Sequence, residues 1–264
     1  MNGLPQRIVC LTTETVEVLY MLGEQDRIVG ISGYTTRPAI ARKEKPKIAA
    51  FTSAKIDKIL ALKPDLVLGF SNLQADIAAT LIKAGVEVHV FNQRSIAEIL
   101  RMILTTGRLV GASQRAASIV RDIQQQIDVA RESAANLARK PKIYFEEWDD
   151  PMMCSIRWAS ELIAIAGGED CFPELSQYHS ARERTVTPAE VLARKPDIII
   201  GSWCGKKFQP EQVAAREGWQ DMPAIQHNMV FEIKSADILQ PGPSVFRYGL
   251  PQLQAIIRQW SQQP

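Results

Sequence analysis

The chain has 264 residues, of which 46% are hydrophobic and 23% are charged. This composition excludes disordered, collagen-like and coiled-coil rod proteins, and the length suits one large domain or two of modest size. The 31 basic and 29 acidic residues give a net charge of +2, so we expect no nucleic-acid partner. No apolar run in the sequence approaches the roughly 18 residues of a membrane-spanning segment.

The first predicted elements are a strand over residues 7–11 and an amphipathic helix over residues 15–22 that ends at Gly23. The six residues before the strand have no basic start, apolar stretch or small-residue cleavage site of a secretory signal. Two interpretations follow. The protein is cytoplasmic, or it is exported and its signal is not part of this sequence.

The four cysteines, Cys10, Cys154, Cys171 and Cys204, form no Cys-x-x-Cys pair and match no zinc-site spacing. A chain of this length needs no disulfide to stabilise its core, so we expect unpaired thiols. A bridge between Cys154 and Cys171 is the alternative.

A short pattern occurs twice, because residues 59–69 match residues 191–201. Each copy predicts a helix, a Lys-Pro-Asp stop and a buried strand, since proline cannot continue a helix and a continuous apolar run is typical of a parallel strand covered on both faces. Ser53 is the predicted N-cap of the first helix. Thr187 and Glu190 predict a capping box for the second, with Pro188 at its first position.

Further strands are predicted at residues 86–91, 142–146 and 229–233, and a helix at residues 160–166 ends at a Gly-Gly pair. Strands that alternate with helices predict an α/β sheet in each half of the chain. Ligands of such sheets bind beyond the carboxyl ends of the strands.

Two helices are predicted between the halves. The first begins at a capping box of Ser95 and Glu98 and ends near Val110. The second covers residues 113–137, about 37 Å, and carries one apolar stripe. The stripe consists of Ala116, Val120, Ile123, Ile127, Ala130, Ala134 and Leu137. We favour a connection within one chain, so a monomer with domains at 1–112 and 139–264 and a connecting helix at 113–138; a coiled-coil dimer is the alternative.

These features resemble the substrate-binding proteins of cobalamin and iron-siderophore ABC importers, the class III periplasmic binding proteins, and most of all their cobalamin-binding members. The segments that carry the resemblance are residues 7–14, 29–34 and 161–169 and the two Lys-Pro-Asp units. The resemblance implies two similar α/β lobes, each with a mostly parallel sheet, joined by one long helix with the ligand cleft between them. It also implies a periplasmic location and non-catalytic binding of cobalamin or a related corrinoid.

A corrinoid is a flat, mostly apolar disc, and its site needs aromatic walls and a few hydrogen bonds. By resemblance, the ligand-binding residues are Tyr34, Phe51, Phe70, Trp148, Met152, Trp158, Trp203, Asp237, Leu239 and Gln240. Tyr34 and Trp203 are favoured because both follow predicted strands. For each aromatic residue the alternative is packing in the core.

The family docks on its transporter through one glutamate on each lobe, which pairs with arginines of the membrane subunits. In the corresponding places this chain has Gln74 and Asp76, and Glu211 after two lysines. We therefore predict Asp76 and Glu211 as docking residues for ABC-transporter membrane subunits. The alternatives are ordinary surface charge and an intracellular corrinoid binder that uses no transporter.

Two other functions remain open. The same fold could bind haem or a ferric siderophore, with Tyr34 as an oxygen ligand to iron and His179 near the ligand's metal. An enzyme is the alternative of another class: a metal-assisted hydrolase that uses the acidic residues Glu146, Glu147, Asp149 and Asp150, which follow a strand. We prefer a solvated loop for these residues and expect no catalytic residue, resident metal or catalytic cofactor. No nucleophile elbow or phosphate-binding glycine motif occurs in the sequence.

Overall fold

In a computed structural model that describes residues 3–263, the first half of the chain forms a five-stranded parallel sheet. Its strands are β1 (Ile8–Cys10), β2 (Ile28–Ser32), β3 (Lys47–Ala49), β4 (Leu66–Phe70) and β5 (Val88–Phe91). Their order is β3-β2-β1-β4-β5, and every neighbouring pair is parallel. The helices of this half are α1 (Thr13–Leu22), α2 (Ala41–Glu44), α3 (Ile56–Ala61), α4 (Ala75–Lys83), α5 (Ile96–Leu109) and α6 (Ser113–Ala135).

The second half forms a four-stranded parallel sheet and a small antiparallel hairpin. Its strands are β6 (Lys142–Glu146), β7 (Trp148–Asp149), β8 (Met152–Met153), β9 (Glu169–Asp170), β10 (Ile198–Gly201) and β11 (Val230–Glu232). The sheet order is β11-β10-β6-β9, and β7 pairs with β8. The helices are α7 (Arg157–Ala166), α8 (Pro188–Arg194), α9 (Pro210–Ala214), α10 (Pro223–Gln226), α11 (Ser235–Ile238) and α12 (Leu250–Ser261).

The two sheets share one topology. Taken from its other edge, the second sheet has the order β9-β6-β10-β11, which corresponds to β2-β1-β4-β5 of the first. The repeated sequence pattern produces α3 and β4 in one half and α8 and β10 in the other. The predicted fold class, an α/β protein with a parallel sheet in each half, is therefore confirmed.

The chain divides into two structural units. One extends to Gln93 and includes Ala97–Asp122, and the other contains Arg94–Ile96 and continues from Ile123. The division falls inside α6, which ends two residues before the predicted end of the helix. Four residues of the predicted apolar stripe are fully buried: Ala116, Ile123, Ile127 and Ala130.

The aspartate of each Lys-Pro-Asp unit joins two strands of its sheet. The carboxylate of Asp65 accepts hydrogen bonds from the backbone N–H of Gln6 and Arg7, at 2.7 and 2.9 Å. The carboxylate of Asp197 accepts one from the backbone N–H of Lys142 at 2.8 Å, and its own N–H donates to the Lys142 carbonyl at 2.8 Å. The unit thus ends a helix and aligns the next strand with the first strand of each sheet.

The predicted helix ends are confirmed at three places. Gly23 and Gly167 end α1 and α7 at φ 77° and 99°, a left-handed conformation that glycine adopts without strain. Thr187 and Glu190 form both hydrogen bonds of the predicted capping box, and Pro188 is the first residue of α8.

The predicted N-cap at Ser53 is wrong. Helix α3 begins at Ile56, with Lys55 before it. The carbonyl of Ser53 instead accepts a hydrogen bond from the N–H of Ala50 at 2.7 Å, and the N–H of Lys55 donates to Ile48. A tight turn after β3 uses these backbone groups, so the helix starts beyond it.

The four cysteines are unpaired, as predicted. Burial raises the pKa of the Cys10 and Cys154 thiols to about 12. Within residues 3–263, no helix is both long and apolar enough to cross a membrane.

Candidate functional site

Three large apolar side chains are exposed at the carboxyl edge of the first sheet. Tyr34 follows β2, Phe51 follows β3 and Leu73 follows β4, and their exposed fractions are 61%, 36% and 55%. Because the strands are parallel, the loops after them lie at one edge of the sheet. We call Tyr34, Phe51 and Leu73 the apolar edge. Exposed apolar groups gathered in this way are typical of a binding surface. Leu73 was not predicted from the sequence, although its place three residues after a repeated strand was a usable signal.

Gln74 holds the loops of the apolar edge together. Gln74 is fully buried, so its side chain is not exposed for contact with a transporter. Its side-chain oxygen accepts a hydrogen bond from the N–H of Phe70 at 2.9 Å, and its amide nitrogen donates to the carbonyls of Phe51 at 2.8 Å and Leu11 at 3.5 Å. One side chain therefore ties together the chain ends of β1, β3 and β4.

Phe70 is a buried neighbour of the apolar edge. It is 4% exposed, and its ring centroid lies 6.3 Å from that of Phe51. In the structure Phe70 lies next to the Phe51 ring, and its contact with a ligand stays a prediction.

The turn that carries Tyr34 is fixed through its backbone. The N–H of Gly33 donates to Ala49 at 2.7 Å, the N–H of Thr35 donates to Ser32 at 3.1 Å, and the N–H of Tyr34 donates to the Ser32 hydroxyl at 3.2 Å. These bonds fix the backbone conformation at Tyr34, although the Tyr34 side chain is exposed.

In the second unit, the hairpin of β7 and β8 follows the carboxyl end of β6 and carries two predicted site residues. Trp148 is half-buried and donates its indole N–H to the carbonyl of Asp150 at 2.8 Å, whereas Met152 is buried. The Lys206 ammonium lies 5.7 Å from the Trp148 ring and 4.8 Å from the Trp203 ring. Such distances allow cation–π attraction.

Trp203 is buried at the carboxyl end of β10. It is 3% exposed, and its ring packs edge-on against Phe208 at 4.9 Å. Its indole N–H donates to Glu146 at 3.0 Å. The fully buried Glu146 carboxylate also accepts two bonds from Arg216, at 2.5 and 2.9 Å, and one from the Tyr144 hydroxyl at 3.0 Å. This arrangement favours a structural role for Trp203, the alternative to the predicted contact with a ligand.

The remaining predicted ligand-binding residues lie on α7 and around α11. Trp158 is 3% exposed and donates its indole N–H to the Ile238 carbonyl at 2.9 Å. Asp237, Leu239 and Gln240 are half-buried. Trp158 therefore anchors the segment that presents these three residues.

Three of the four acidic residues at the end of β6 and beyond it pair with basic side chains. Glu147 pairs with the buried Arg184 at 2.5 Å, Asp149 pairs with Lys206 at 2.5 Å, and Asp150 is exposed. The Glu146 carboxylate is buried and forms an ion pair with Arg216, as described above. Among residues 3–263, no cluster of three or more histidine, cysteine, aspartate or glutamate residues is arranged to hold a metal ion. The hydrolase interpretation has no support in this geometry.

The predicted docking residues Asp76 and Glu211 are both exposed, in the first turns of α4 and α9. His179 is exposed in the loop between β9 and α8. Their positions on the surface agree with contact to a partner or ligand, and such contact stays a prediction.

Comparison with known proteins agrees with this architecture. A vitamin B12-binding protein from Vibrio campbellii is 23% identical over 243 residues, which are 91% of this chain and 85% of that protein. An uncharacterised ABC transporter substrate-binding lipoprotein from Bacillus subtilis is 23% identical over 248 residues, 90% of this chain and 76% of that protein. The solved structure of a periplasmic heme-binding protein from Roseiflexus sp. RS-1, in its apo form, shares the fold with a TM-score of 0.84 and 22% identity, and the match covers 97% of this chain and 99% of that one.

The sequence model of one protein family, described as "Periplasmic binding protein", matches residues 8–236. The match covers both sheets and most of the elements described above. The chain belongs to the periplasmic binding protein family.

Proposed function

We propose that the protein binds cobalamin or a related corrinoid and delivers it to an ABC importer without chemical change. The apolar edge carries this proposal. A corrinoid offers a wide apolar face, and Tyr34, Phe51 and Leu73 expose apolar area at the edge where α/β sheets bind ligands. The relatives named vitamin B12-binding proteins support the choice of ligand.

Rigidity of the apolar edge favours tight binding. The buried Gln74 joins three strand ends, and backbone hydrogen bonds define the turn of Tyr34. A site whose loops are already ordered loses less conformational entropy when the ligand binds. In the second unit, the half-buried Trp148 and the segment from Asp237 to Gln240 are the proposed further contacts.

Titration of the purified chain with cyanocobalamin, followed by quenching of tryptophan fluorescence, tests the proposal. We expect Tyr34→Ala and Phe51→Ala each to weaken binding by about tenfold or more, since aromatic contacts dominate most binding sites. Ile82→Ala is the control, because this side chain is 59% exposed near the end of α4, away from the apolar edge. Failure of cyanocobalamin to bind, or equal binding by all three variants, would contradict the proposal.

Haem or a ferric siderophore is the second candidate ligand. The 61% exposure of Tyr34 favours it, because a phenol oxygen is a known ligand of haem iron. The comparison structure named as heme-binding has the same fold. Tyr34→Phe separates the candidates: it should abolish the absorption change of haemin while leaving cyanocobalamin binding nearly intact. Tyr20→Phe is the matched control, because it removes the same hydroxyl from a tyrosine of α1 whose hydroxyl bonds to Glu44 at 3.3 Å.

Delivery to a transporter is a separate part of the proposal and implies a periplasmic location. The exposed Asp76 and Glu211 would pair with basic residues of the membrane subunits. Replacing both with lysine should reduce uptake in vesicles that contain the transporter and leave cyanocobalamin affinity unchanged. Glu132→Lys, at an exposed position of α6, controls for added charge. Unchanged uptake in the double variant would contradict the docking role and leave the intracellular corrinoid binder as the better interpretation.

A further inference from the structure

Helix α2 places an arginine against the turn that carries Tyr34. The Arg42 Nη1 group donates to the carbonyl of Thr35 at 3.0 Å and to the carbonyl of Gly33. These carbonyls belong to the residues on either side of Tyr34. One guanidinium nitrogen therefore connects the backbone before and after the exposed ring.

Packing alone does not hold this ring. The Tyr34 side chain is 61% exposed, so few neighbouring atoms restrict it. The N–H groups of the turn bond to Ser32 and Ala49, and the contacts from Arg42 join the carbonyl side of the same turn to α2. A hydrogen bond from a charged donor is stronger than a neutral one, and the planar guanidinium loses little freedom when it forms two.

We propose that Arg42 is a positioning residue for ligand binding. It holds the turn in the conformation that presents the Tyr34 ring, and it does not contact the ligand. The proposal rests on the proposed function, in which Tyr34 contacts the ligand. Order that exists before binding is not lost on binding, so the effect of Arg42 should be seen as ligand affinity.

A double-mutant cycle tests this role, with cyanocobalamin as the probe and tryptophan fluorescence as the readout. Arg42→Met should weaken binding about three- to tenfold in the native background and should have no further effect in the Tyr34→Ala background, because residues that act through one another are not additive. Lys43→Met is the matched control: it removes the same charge from the neighbouring exposed position of α2 and should leave affinity unchanged.

Hydrogen exchange of the Tyr34 and Thr35 amides in the ligand-free protein gives an independent readout. Arg42→Met should speed exchange at these two amides, whereas Lys43→Met should not. Exchange that stays unchanged in Arg42→Met overturns the proposal. So does equal weakening of binding by Arg42→Met in both backgrounds, because Arg42 would then contact the ligand itself.

The proposed function fails in a different way. If the native chain does not bind cyanocobalamin, the proposed function is overturned, and the role of Arg42 in binding is overturned with it. If the native chain binds and Tyr34→Ala binds equally well, Tyr34 is not a ligand contact, and the role of Arg42 is overturned while the proposed ligand stands. Faster exchange in Arg42→Met would then report only the stability of the turn.

Discussion

Truncation of Trp203 distinguishes a ligand contact from a core residue. The ring is 3% exposed, packs against Phe208 and donates its N–H to the buried Glu146 carboxylate at 3.0 Å. Removing a buried aromatic side chain typically costs about 3–5 kcal/mol of stability. A hydrogen bond to a charged group accounts for about 1.5–3 kcal/mol. Trp203→Ala should therefore destabilise the protein by about 3–5 kcal/mol, and Trp203→Phe, which keeps an apolar ring, by about 2 kcal/mol, mainly from the lost hydrogen bond.

Chemical and thermal denaturation, each monitored by circular dichroism, measure these losses of stability. In a chain of this size each kcal/mol lowers the melting temperature by about 2–4 °C, so the alanine variant should melt on the order of 10 °C lower. Cyanocobalamin affinity, measured well below that temperature, should change little in either variant. An alanine variant with native stability and binding weakened more than tenfold would refute this reasoning and make Trp203 a ligand contact.

Three further predictions concern single buried or exposed groups. Gln74→Leu should destabilise the protein by about 1–3 kcal/mol, because the Phe70 N–H loses its buried acceptor; denaturation measures this, and an unchanged midpoint would contradict the role of Gln74. Burial raises the pKa of Glu14 above its ordinary value of 4.5, so the folded state binds the proton more tightly than the unfolded state, and the stability of the native chain should fall as the pH rises from 4.5 through the raised pKa. Burial also raises the pKa of Asp170, so Glu14→Gln should reduce this fall without abolishing it, which denaturation midpoints across the pH range would show; parallel curves for both proteins would contradict the role of Glu14. Cys204 is exposed and the other three cysteines are buried, so one thiol per native chain should react with Ellman's reagent, and Cys204→Ser should abolish the reaction; a second reactive thiol would be evidence against the fold.

Much of the fold follows from local sequence. The repeated Lys-Pro-Asp units, the glycines after α1 and α7 and the capping box of α8 act over a few residues, and their effects could be predicted from residue type alone. The start of α3 could not be predicted in this way. In the turn after β3, the Ser53 carbonyl accepts a hydrogen bond from Ala50 and the Lys55 N–H donates to Ile48, so the helix begins only after this turn. The parallel topology was also predictable, because continuous apolar strands are typical of parallel sheets that are covered on both faces.

The exposure of the candidate site residues depends on tertiary structure. Tyr34 and Trp203 both follow strands, and sequence position treats them alike, yet one ring is 61% exposed and the other is 3% exposed. The difference arises because Glu146, which lies 57 residues from Trp203 in sequence, and the nearby Phe208 hold the second ring in the core. The sequence determined the fold class and the edge of each sheet at which a ligand is expected, since both depend on periodicity and strand direction. Which side chains are available at that edge depends on long-range packing and ion pairing, and these appear only when the chain is folded.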